Sequence, residues 1–385
     1  MSVPRAAAVA LAAALLAGCV EQAPRVDPTV VTAPVAMPTP TPAEPTVAER
    51  CAATVADLSQ AEQIGQLLMM GISADLDSAE QKAIEKYSVG SVILMDQDGK
   101  SVKNVAKLVK KLAKLDAGIL VAADQEGGQV QRLDGSGFAV IPSAKKQAKL
   151  SASELAEDAA AWGKDLAEAG VRLNLAPVAD VVPDDLTERN MAIARLDRGY
   201  GSDPEQVSEK VAAFTAGMHA AGIAVAVKHF PGLGITTVHT DAAKKATDSV
   251  TTLEDAALRP FQDALPTTDA VMVSLATYTR IDSEMAVYSP LVIGWLRDNG
   301  FDKVVISDDL GAARAAQAVA AKQRAAKFVA AGGDLALTVD PATVSKMVSG
   351  LKAAAKDDSA FAARIAESAT RVLILKESVG LEVCK

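Results

Sequence analysis

Eight short apolar runs, separated by stretches of helical periodicity, constrain the fold of this 385-residue chain more than any other feature. A short apolar run bounded by turn residues is typical of a parallel strand that is buried on both faces. Eight such runs with intervening helices predict a (β/α)8 barrel, whereas the alternative, a doubly wound sheet, lacks a GxGxxG motif after its first strand. The predicted strands are 66–70, 91–94, 118–122, 171–175, 223–227, 270–273, 304–307 and 334–337.

The composition agrees with this α/β fold. Hydrophobic residues make up 50% of the chain but aromatic residues only 3%, so the core consists of Ala, Val, Leu and Ile, as in a helix-covered parallel sheet. Among the predicted helices are 204–220 and 151–168, and the second begins with a capping-box pattern at Ser151 and Glu154. No linker-like segment interrupts residues 51–385, which are therefore expected to form one domain.

Polar residues follow several of the predicted strands at the point where each strand ends. The run 223–227 leads into Lys228 and His229, and the run 304–307 leads into Asp308. Because the carboxyl ends of barrel strands share one face, these side chains are expected to form one pocket. Carboxylates and cations placed together suit a ligand with many hydroxyl groups, such as a sugar. The full set is Asp124, Glu126, Arg132, Asp180, Lys228, His229, Asp308 and Asp309.

Each member of this set also has a structural interpretation. On that interpretation Asp309 caps the next helix, Asp180 satisfies a loop, and Arg132 pairs with Glu126. The shared position at strand ends favours the pocket. His219, inside a predicted helix, is interpreted as structural, and the three histidines lack the spacing of metal ligands.

The N-terminus has the features of a lipoprotein signal peptide. Residues 1–18 combine Arg5 with an apolar stretch too short to span a bilayer comfortably, and 16–19 read Leu-Ala-Gly-Cys, similar to a bacterial lipobox. An ordinary signal peptide with an incidental cysteine is the weaker alternative. We expect Cys19 to be lipid-modified and residues 19–50, rich in Pro and Thr, to tether the domain to the outer face of the bacterial membrane.

Charge and cysteine content limit the remaining possibilities. The net charge is −9 with no basic run, which argues against nucleic-acid binding because phosphate neutralisation needs clustered Lys and Arg. Only three cysteines are present, so a disulfide-dense scaffold is excluded. With Cys19 lipid-modified, Cys51 and Cys384 lie near the two ends of the folded part, and in an exported protein we predict that they form a disulfide.

Six motifs in this order resemble glycoside hydrolase family 3, specifically its single-domain β-N-acetylhexosaminidase branch. The resemblance covers about 58–376 and implies cofactor- and metal-free removal of N-acetylglucosamine (GlcNAc) from muropeptides or related glycans with retention of configuration. The motifs are QIGQLL at 63–68, DQEGG at 124–128, LAPVAD at 175–180, RGYGSDP at 198–204, KHFPG at 228–232 and ISDDL at 306–310.

The resemblance also implies roles for individual residues. Asp308 matches the catalytic nucleophile, which forms a covalent glycosyl-enzyme intermediate. The residues that match the sugar-holding positions of the first subsite are Asp124, Arg132, Arg198, Lys228 and His229.

The general acid/base is where this chain departs from the family. The family's loop contains Asp-Ser-His, whereas the aligned triplet here is His239-Thr240-Asp241, and earlier His and Asp positions are Leu233 and Ile235. Three interpretations stay open. Asp241 is itself the acid/base, His239 transfers the proton with Asp241 as its partner, or the site is catalytically weak and the protein binds wall glycans.

From the sequence we predict a monomeric, lipid-anchored exo-β-N-acetylglucosaminidase. Asp308 is the nucleophile, and Asp241 or His239 is the proton donor. The enzymatic alternatives are a β-glucosidase and a glycoside phosphorylase. The non-enzymatic alternative is a surface glycan-binding lipoprotein.

Overall fold

The eight predicted strands all form in the computed structural model, which describes residues 44–385. They are β1 (Leu68–Ile72), β2 (Ser91–Leu94), β3 (Leu120–Ala123), β4 (Leu173–Asn174), β5 (Ala224–Phe230), β6 (Ala270–Val273), β7 (Val304–Ser307) and β8 (Ala336–Thr338).

Parallel pairing runs in chain order from β1 to β7, and β8 pairs with β1. A parallel bridge between Ile306 and Leu335 brings β7 to the start of β8 and completes the circle. The predicted (β/α)8 barrel is therefore confirmed.

Twelve α-helices occur among the described residues, most of them packed around the barrel. They are α1 (Val47–Asp57), α2 (Gln60–Gln66), α3 (Ser78–Tyr87), α4 (Val102–Leu115), α5 (Ala144–Gln147), α6 (Ala152–Ala169), α7 (Pro204–Ala220), α8 (Arg259–Ala264), α9 (Pro290–Asp298), α10 (Ala321–Ala330), α11 (Val344–Lys356) and α12 (Ser359–Ser378).

Local signals in the sequence set the ends of the two longest predicted helices. Ser151 accepts the backbone N–H of Glu154, whose side chain returns to Ser151, so the predicted capping box starts α6. Gly170 ends this helix with φ of 85°, a left-handed conformation that favours glycine. In α7, Pro204 occupies the first turn behind the N-cap Asp203. Both helices form where predicted.

Two apolar layers follow from the alternation of side chains along each strand. In β5, Ala224 and Ala226 face the barrel interior, while Val225 and Val227 pack against the surrounding helices. Small interior residues leave room for larger ones from other strands, including Met69 and Met272, so the barrel is filled with side chains.

The two ends of the described chain are joined. Cys51 in α1 and Cys384 form a disulfide, the predicted pairing, with their Cα atoms 4.7 Å apart. Helix α1 begins at Val47, so the last four residues of the predicted tether are helical. The predicted signal peptide, Cys19 and the tether up to residue 43 lie outside the described residues. From residue 44 onward, no helix is both long and apolar enough to cross a bilayer.

Candidate active site

A cavity of about 210 Å³ opens at the carboxyl ends of the barrel strands. All eight residues predicted to bind substrate or to act in catalysis line it together. They are Asp124, Arg132, Arg198, Lys228, His229, His239, Asp241 and Asp308. Apolar side chains complete the wall, among them Met95, Val130, Leu196 and Leu233.

Lys228 and His229 lie within β5, because this strand continues to Phe230. The prediction that the strand ends at residue 227 was therefore wrong. The pairing of β5 with β6 shifts register between Lys228 and Phe230, as at a β-bulge. A bulge changes the direction of neighbouring side chains, so two consecutive residues can both reach the cavity.

Glu126 pairs with two buried cations, Lys228 and Arg198, and Lys228 also pairs with Asp124. The Lys228 ammonium is 2.6 Å from both Asp124 Oδ1 and Glu126 Oε1. Arg198 binds the same glutamate through Nε–Oε2 at 2.8 Å and Nη2–Oε1 at 2.7 Å. Two carboxylates and two cations balance, so the group carries no net charge while offering both kinds of hydrogen-bonding partner.

This pairing favours the charged forms of Glu126, Arg198 and Lys228. Burial opposes ionisation of Glu126, but Arg198 and Lys228 outweigh it and hold its pKa well below the usual range. Burial likewise opposes the charge on Lys228, yet Asp124 and Glu126 raise its pKa. The proposed pair of Arg132 with Glu126 was wrong, because Arg198 and Lys228 already occupy this carboxylate.

Arg132 has a buried donor without a partner. Its Nε atom is buried, yet it makes no hydrogen bond within residues 44–385. A buried donor left unpaired is unfavourable, and a ligand oxygen in the cavity would satisfy it.

Asp180 orients His229 and does not line the cavity. It is fully buried, and its Oδ2 is 2.8 Å from His229 Nδ1. Since a carboxylate accepts, Nδ1 carries a proton, while Nε2 lies 3.3 Å from Arg198 Nη2. The expectation that Asp180 belongs to the ligand pocket was therefore wrong, and its role as a structural partner is supported.

Asp308 directly follows β7 and is half-buried in the cavity wall. One of its oxygens accepts the backbone N–H of Asp309 at 2.8 Å. Burial raises the pKa of Asp308 to about 6, and nearby Asp241 adds to the rise while His229 opposes it. The carboxylate is thus poorly solvated, and it is the ionised form at pH values above 6.

Asp309 shapes the turn that follows the strand. Its two oxygens accept N–H groups from Gly311, Ala312, Ala313 and Val339 at 2.8–2.9 Å. The next helix, α10, begins only at Ala321, so the predicted helix cap is a turn cap. With its oxygens occupied, Asp309 is a poorer nucleophile than Asp308.

His239 and Asp241 form a pair at the rim. His239 Nδ1 accepts the backbone N–H of Asp241 at 3.2 Å and lies 3.6 Å from Asp241 Oδ2. The imidazole is the more enclosed of the two side chains, 27% exposed against 62% for the carboxylate. Burial lowers the pKa of His239, and Arg198 and His229 lower it further against the opposing effect of Asp241.

Two further residues, Glu126 and His219, can be compared with the sequence predictions. Glu126 was recognised within a motif, but its position between Lys228 and Arg198 depends on contacts 72 or more residues apart along the chain. His219 bonds Asp269 at 2.6 Å at the opposite end of β5, which agrees with its structural interpretation. In the part of the chain that the structure describes, no cluster of three or more His, Cys, Asp and Glu could hold a metal ion.

Comparison with known proteins gives a consistent result. Residues 59–375 match the model of the glycosyl hydrolase family 3 N-terminal domain. A β-hexosaminidase of Tolumonas auensis is 32% identical over 289 residues, with 71% of this chain and 82% of the relative covered. A β-hexosaminidase of Idiomarina loihiensis is 28% identical over 337 residues, covering 84% and 96%. The crystal structure of a β-N-acetylhexosaminidase from Beutenbergia cavernae superposes with a TM-score of 0.81 at 38% identity, covering 84% of this chain and 99% of that one.

Proposed function

The chain belongs to glycosyl hydrolase family 3, and from this premise we propose that it is a retaining exo-β-N-acetylglucosaminidase. The observation that carries the proposal is that Asp308 lines the same cavity as five charged or polar side chains suited to a sugar. We further propose that it acts as a monomer and without a cofactor.

The charged group around Glu126 would bind the terminal GlcNAc. Asp124 accepts hydrogen bonds from hydroxyl groups, while Arg132, Arg198 and Lys228 donate to them. Hydrogen bonds to ionised groups are about twice as strong as neutral ones. Because Lys228 and Glu126 are locked by each other, the sugar meets groups that are already in place, and less ordering accompanies binding.

The chemistry follows in two displacements. In the first, an Asp308 oxygen attacks the anomeric carbon, the bond to the leaving group breaks, and the leaving oxygen takes a proton from the acid. In the second, the residue that served as the acid now accepts a proton from water. The water oxygen bonds to the anomeric carbon as the ester to Asp308 breaks. Free GlcNAc leaves with its original configuration.

His239 is the residue we assign to proton transfer, with Asp241 as its partner. Its Nδ1 faces Asp241, which leaves Nε2 available to the substrate. When the imidazole is protonated, Nδ1 can no longer accept the Asp241 N–H and instead donates to the carboxylate 3.6 Å away, which stabilises the cation. Asp241 is more exposed and therefore less suited to hold a proton against solvent.

Variants of the pair test this assignment through the leaving group. His239→Ala should lower kcat/KM on a GlcNAc glycoside with a poor, alkyl-type leaving group by about 10²–10⁴-fold, because that oxygen must be protonated as it departs. A dinitrophenyl glycoside needs no such help, so its kcat/KM should change little. Asp241→Asn should give a smaller loss with the same selectivity.

Thr237→Ala, on an exposed residue of the same loop, is the matched control and should behave as the wild type. If Asp241→Asn loses more than His239→Ala on the poor leaving group, Asp241 is the acid and the assignment is wrong.

A second candidate, a surface glycan-binding lipoprotein, is favoured by one observation. Burial lowers the pKa of His239, which favours the neutral ring, and a neutral imidazole is a poor acid. Saturable binding of GlcNAc without turnover would support this candidate. Assays of GlcNAc against glucose release, with and without phosphate, distinguish the hydrolase from a β-glucosidase or a phosphorylase.

We also propose that the protein is exported and anchored through a lipid on Cys19, with residues 1–18 as signal peptide. The lipobox-like residues 16–19 support this, and the Pro-rich segment that follows has the length to hold the barrel off the membrane. The substrate would then be GlcNAc-containing glycans of the cell wall. Labelling cells with radioactive palmitate should mark the wild type but not Cys19→Ala. An unlabelled wild type would contradict the anchor.

A further inference from the structure

The loop that carries His239 and Asp241 is fastened to the barrel by one buried side chain, Asn190. This residue is fully buried in the long segment between β4 and α7. Its Nδ2 lies within hydrogen-bonding distance of three carbonyl oxygens of the loop: Leu233 at 2.8 Å, Gly234 at 3.0 Å and Thr236 at 3.1 Å. One amide group thus holds the start of the loop by its backbone.

The other end of the same amide holds the segment that carries Arg198. Asn190 Oδ1 accepts the N–H groups of Ile193 at 2.8 Å and Ala194 at 3.1 Å. In the same turn, Arg198 donates through Nη1 to the carbonyl of Ala192 at 2.9 Å. Asn190 therefore connects the proposed proton-transfer loop with the turn that positions a sugar-holding arginine.

Close packing between the two segments supports the same connection. A Cβ atom on Gly234 would lie 1.7 Å from the Val181 carbonyl oxygen, so only glycine permits this approach of the two backbones. The N–H of Leu233 also donates to Asp180 at 2.8 Å. These contacts fix residues 233–236 against the segment after β4.

Farther along the chain, a second set of hydrogen bonds holds the loop. The carbonyls of Thr240 and Asp241 accept N–H groups from Ala315 and Arg314 at 3.1 and 3.2 Å. His239 lies between this support and the Asn190 contacts. If either one is lost, the imidazole is held from one side only.

We propose that Asn190 is a positioning residue for proton transfer, acting by holding the 233–236 backbone so that His239 reaches the glycosidic oxygen. The inference rests on the proposed function, in which His239 and Asp241 form the acid/base pair. Asn190 faces the backbone of both segments and does not line the cavity, so its effect on the reaction runs through the loop.

An amide suits this position because it offers a donor to one segment and an acceptor to the other. An aspartate keeps an acceptor oxygen for the N–H groups of Ile193 and Ala194. In place of the Nδ2 donor it places a second oxygen beside the three loop carbonyls, which cannot bond to it. Asn190→Asp therefore removes the loop contact and spares the turn before Arg198. Asn190→Ala removes both contacts.

The experiment compares these variants of the full-length protein on two GlcNAc glycosides, one with an alkyl and one with a dinitrophenyl leaving group. Asn190→Asp should lower kcat/KM on the alkyl glycoside by about 10–100-fold, the loss expected when a catalytic group is misplaced by about 1 Å. On the dinitrophenyl glycoside its kcat/KM should stay within about threefold of wild type. Asn190→Ala should show the same selectivity and in addition a raised KM.

Ser368→Ala is the matched control for a lost buried contact. Ser368 is fully buried in α12 and donates to Gly333 and Asp334, which precede β8 at the opposite end of the barrel. This variant should lower thermal stability without changing the ratio of the two kcat/KM values. Equal losses on both glycosides for Asn190→Asp, or no loss at all, would overturn the proposal.

Hydrogen exchange gives a readout that does not need activity. Amides of residues 233–243 should exchange faster in Asn190→Asp than in the wild type or in Ser368→Ala. Unchanged exchange in this loop would also refute the role of Asn190. If the wild type releases no GlcNAc, the proposed function fails, and the exchange rates still decide whether Asn190 holds the loop.

Discussion

Asp308→Asn should abolish hydrolysis of GlcNAc glycosides, with kcat reduced by more than roughly 10³-fold. An amide has nearly the same shape as the carboxylate and can keep the hydrogen bond from Asp309 N–H. It is, however, a poor nucleophile and cannot form the covalent ester with the sugar. Substrate binding should survive, so the KD for GlcNAc measured by calorimetry should stay close to the wild-type value.

The pH profile gives an independent readout for the same residue. Asp308 attacks as a carboxylate, and burial raises its pKa to about 6. As the pH falls below 6 the group becomes protonated, so kcat/KM should decline about tenfold per pH unit on the acidic side. Asp302→Asn, at an exposed site before β7, is the matched control and should leave both rate and profile unchanged. An Asp308→Asn enzyme with more than a tenth of wild-type activity would exclude Asp308 as nucleophile.

Lys228→Met should weaken both sugar binding and the fold. The substitution keeps the length of the side chain but leaves Asp124 without its ammonium partner and Glu126 with Arg198 alone. The group then carries one uncompensated negative charge in a buried place. Breaking a buried ion pair in this way lowers the free energy of unfolding by about 3–5 kcal/mol.

Catalysis should suffer in the same variant. Loss of a charged hydrogen bond to the sugar and displacement of Asp124 should lower kcat/KM by about 10²-fold or more. Urea denaturation and steady-state kinetics measure the two effects. Lys327→Met is the control, because Lys327 pairs with Glu284 at a largely exposed site and its loss should change stability by less than about 1 kcal/mol. If Lys228→Met retained wild-type stability and KM, the account of the charged group would be wrong.

The barrel was predictable from sequence because each strand is a local pattern. Residues 91–94, 270–273 and 304–307 are short apolar runs with clear ends, and the observed strands have the same bounds. β5 was predicted too short because the apolar pattern stops at Lys228. The strand continues because Asp124, Glu126 and Asp180 pair with Lys228 and His229, and those partners lie 49 to 104 residues earlier in the chain. The periodicity of apolar residues along the sequence contains no information on such distant pairing.

In the candidate site, too, local sequence patterns predicted some features, while others depend on contacts between distant residues. Four of the eight cavity residues, Asp124, Lys228, His229 and Asp308, lie at the carboxyl ends of strands, so their shared face followed from the strand pattern. The other four were identified by the family resemblance; they are Arg132, Arg198, His239 and Asp241. Asp180 was misplaced because it follows a predicted strand, as Asp124 does, and only the fold shows that it faces His229. Asn190 could not have been found, because a single asparagine in a loop has no pattern that distinguishes it. The exchanged His239 and Asp241 stayed ambiguous because their roles depend on ring orientation.

The central claim is hydrolysis with retention through Asp308. Proton NMR of the full-length protein acting on an aryl β-N-acetylglucosaminide tests it most directly, because the anomeric signal of the first GlcNAc released reports the stereochemistry before mutarotation. The account predicts that the β-anomer appears first and the α-anomer only later. Release of the α-anomer first would mean a single inverting displacement, and no release at all would leave a binding protein in place of an enzyme.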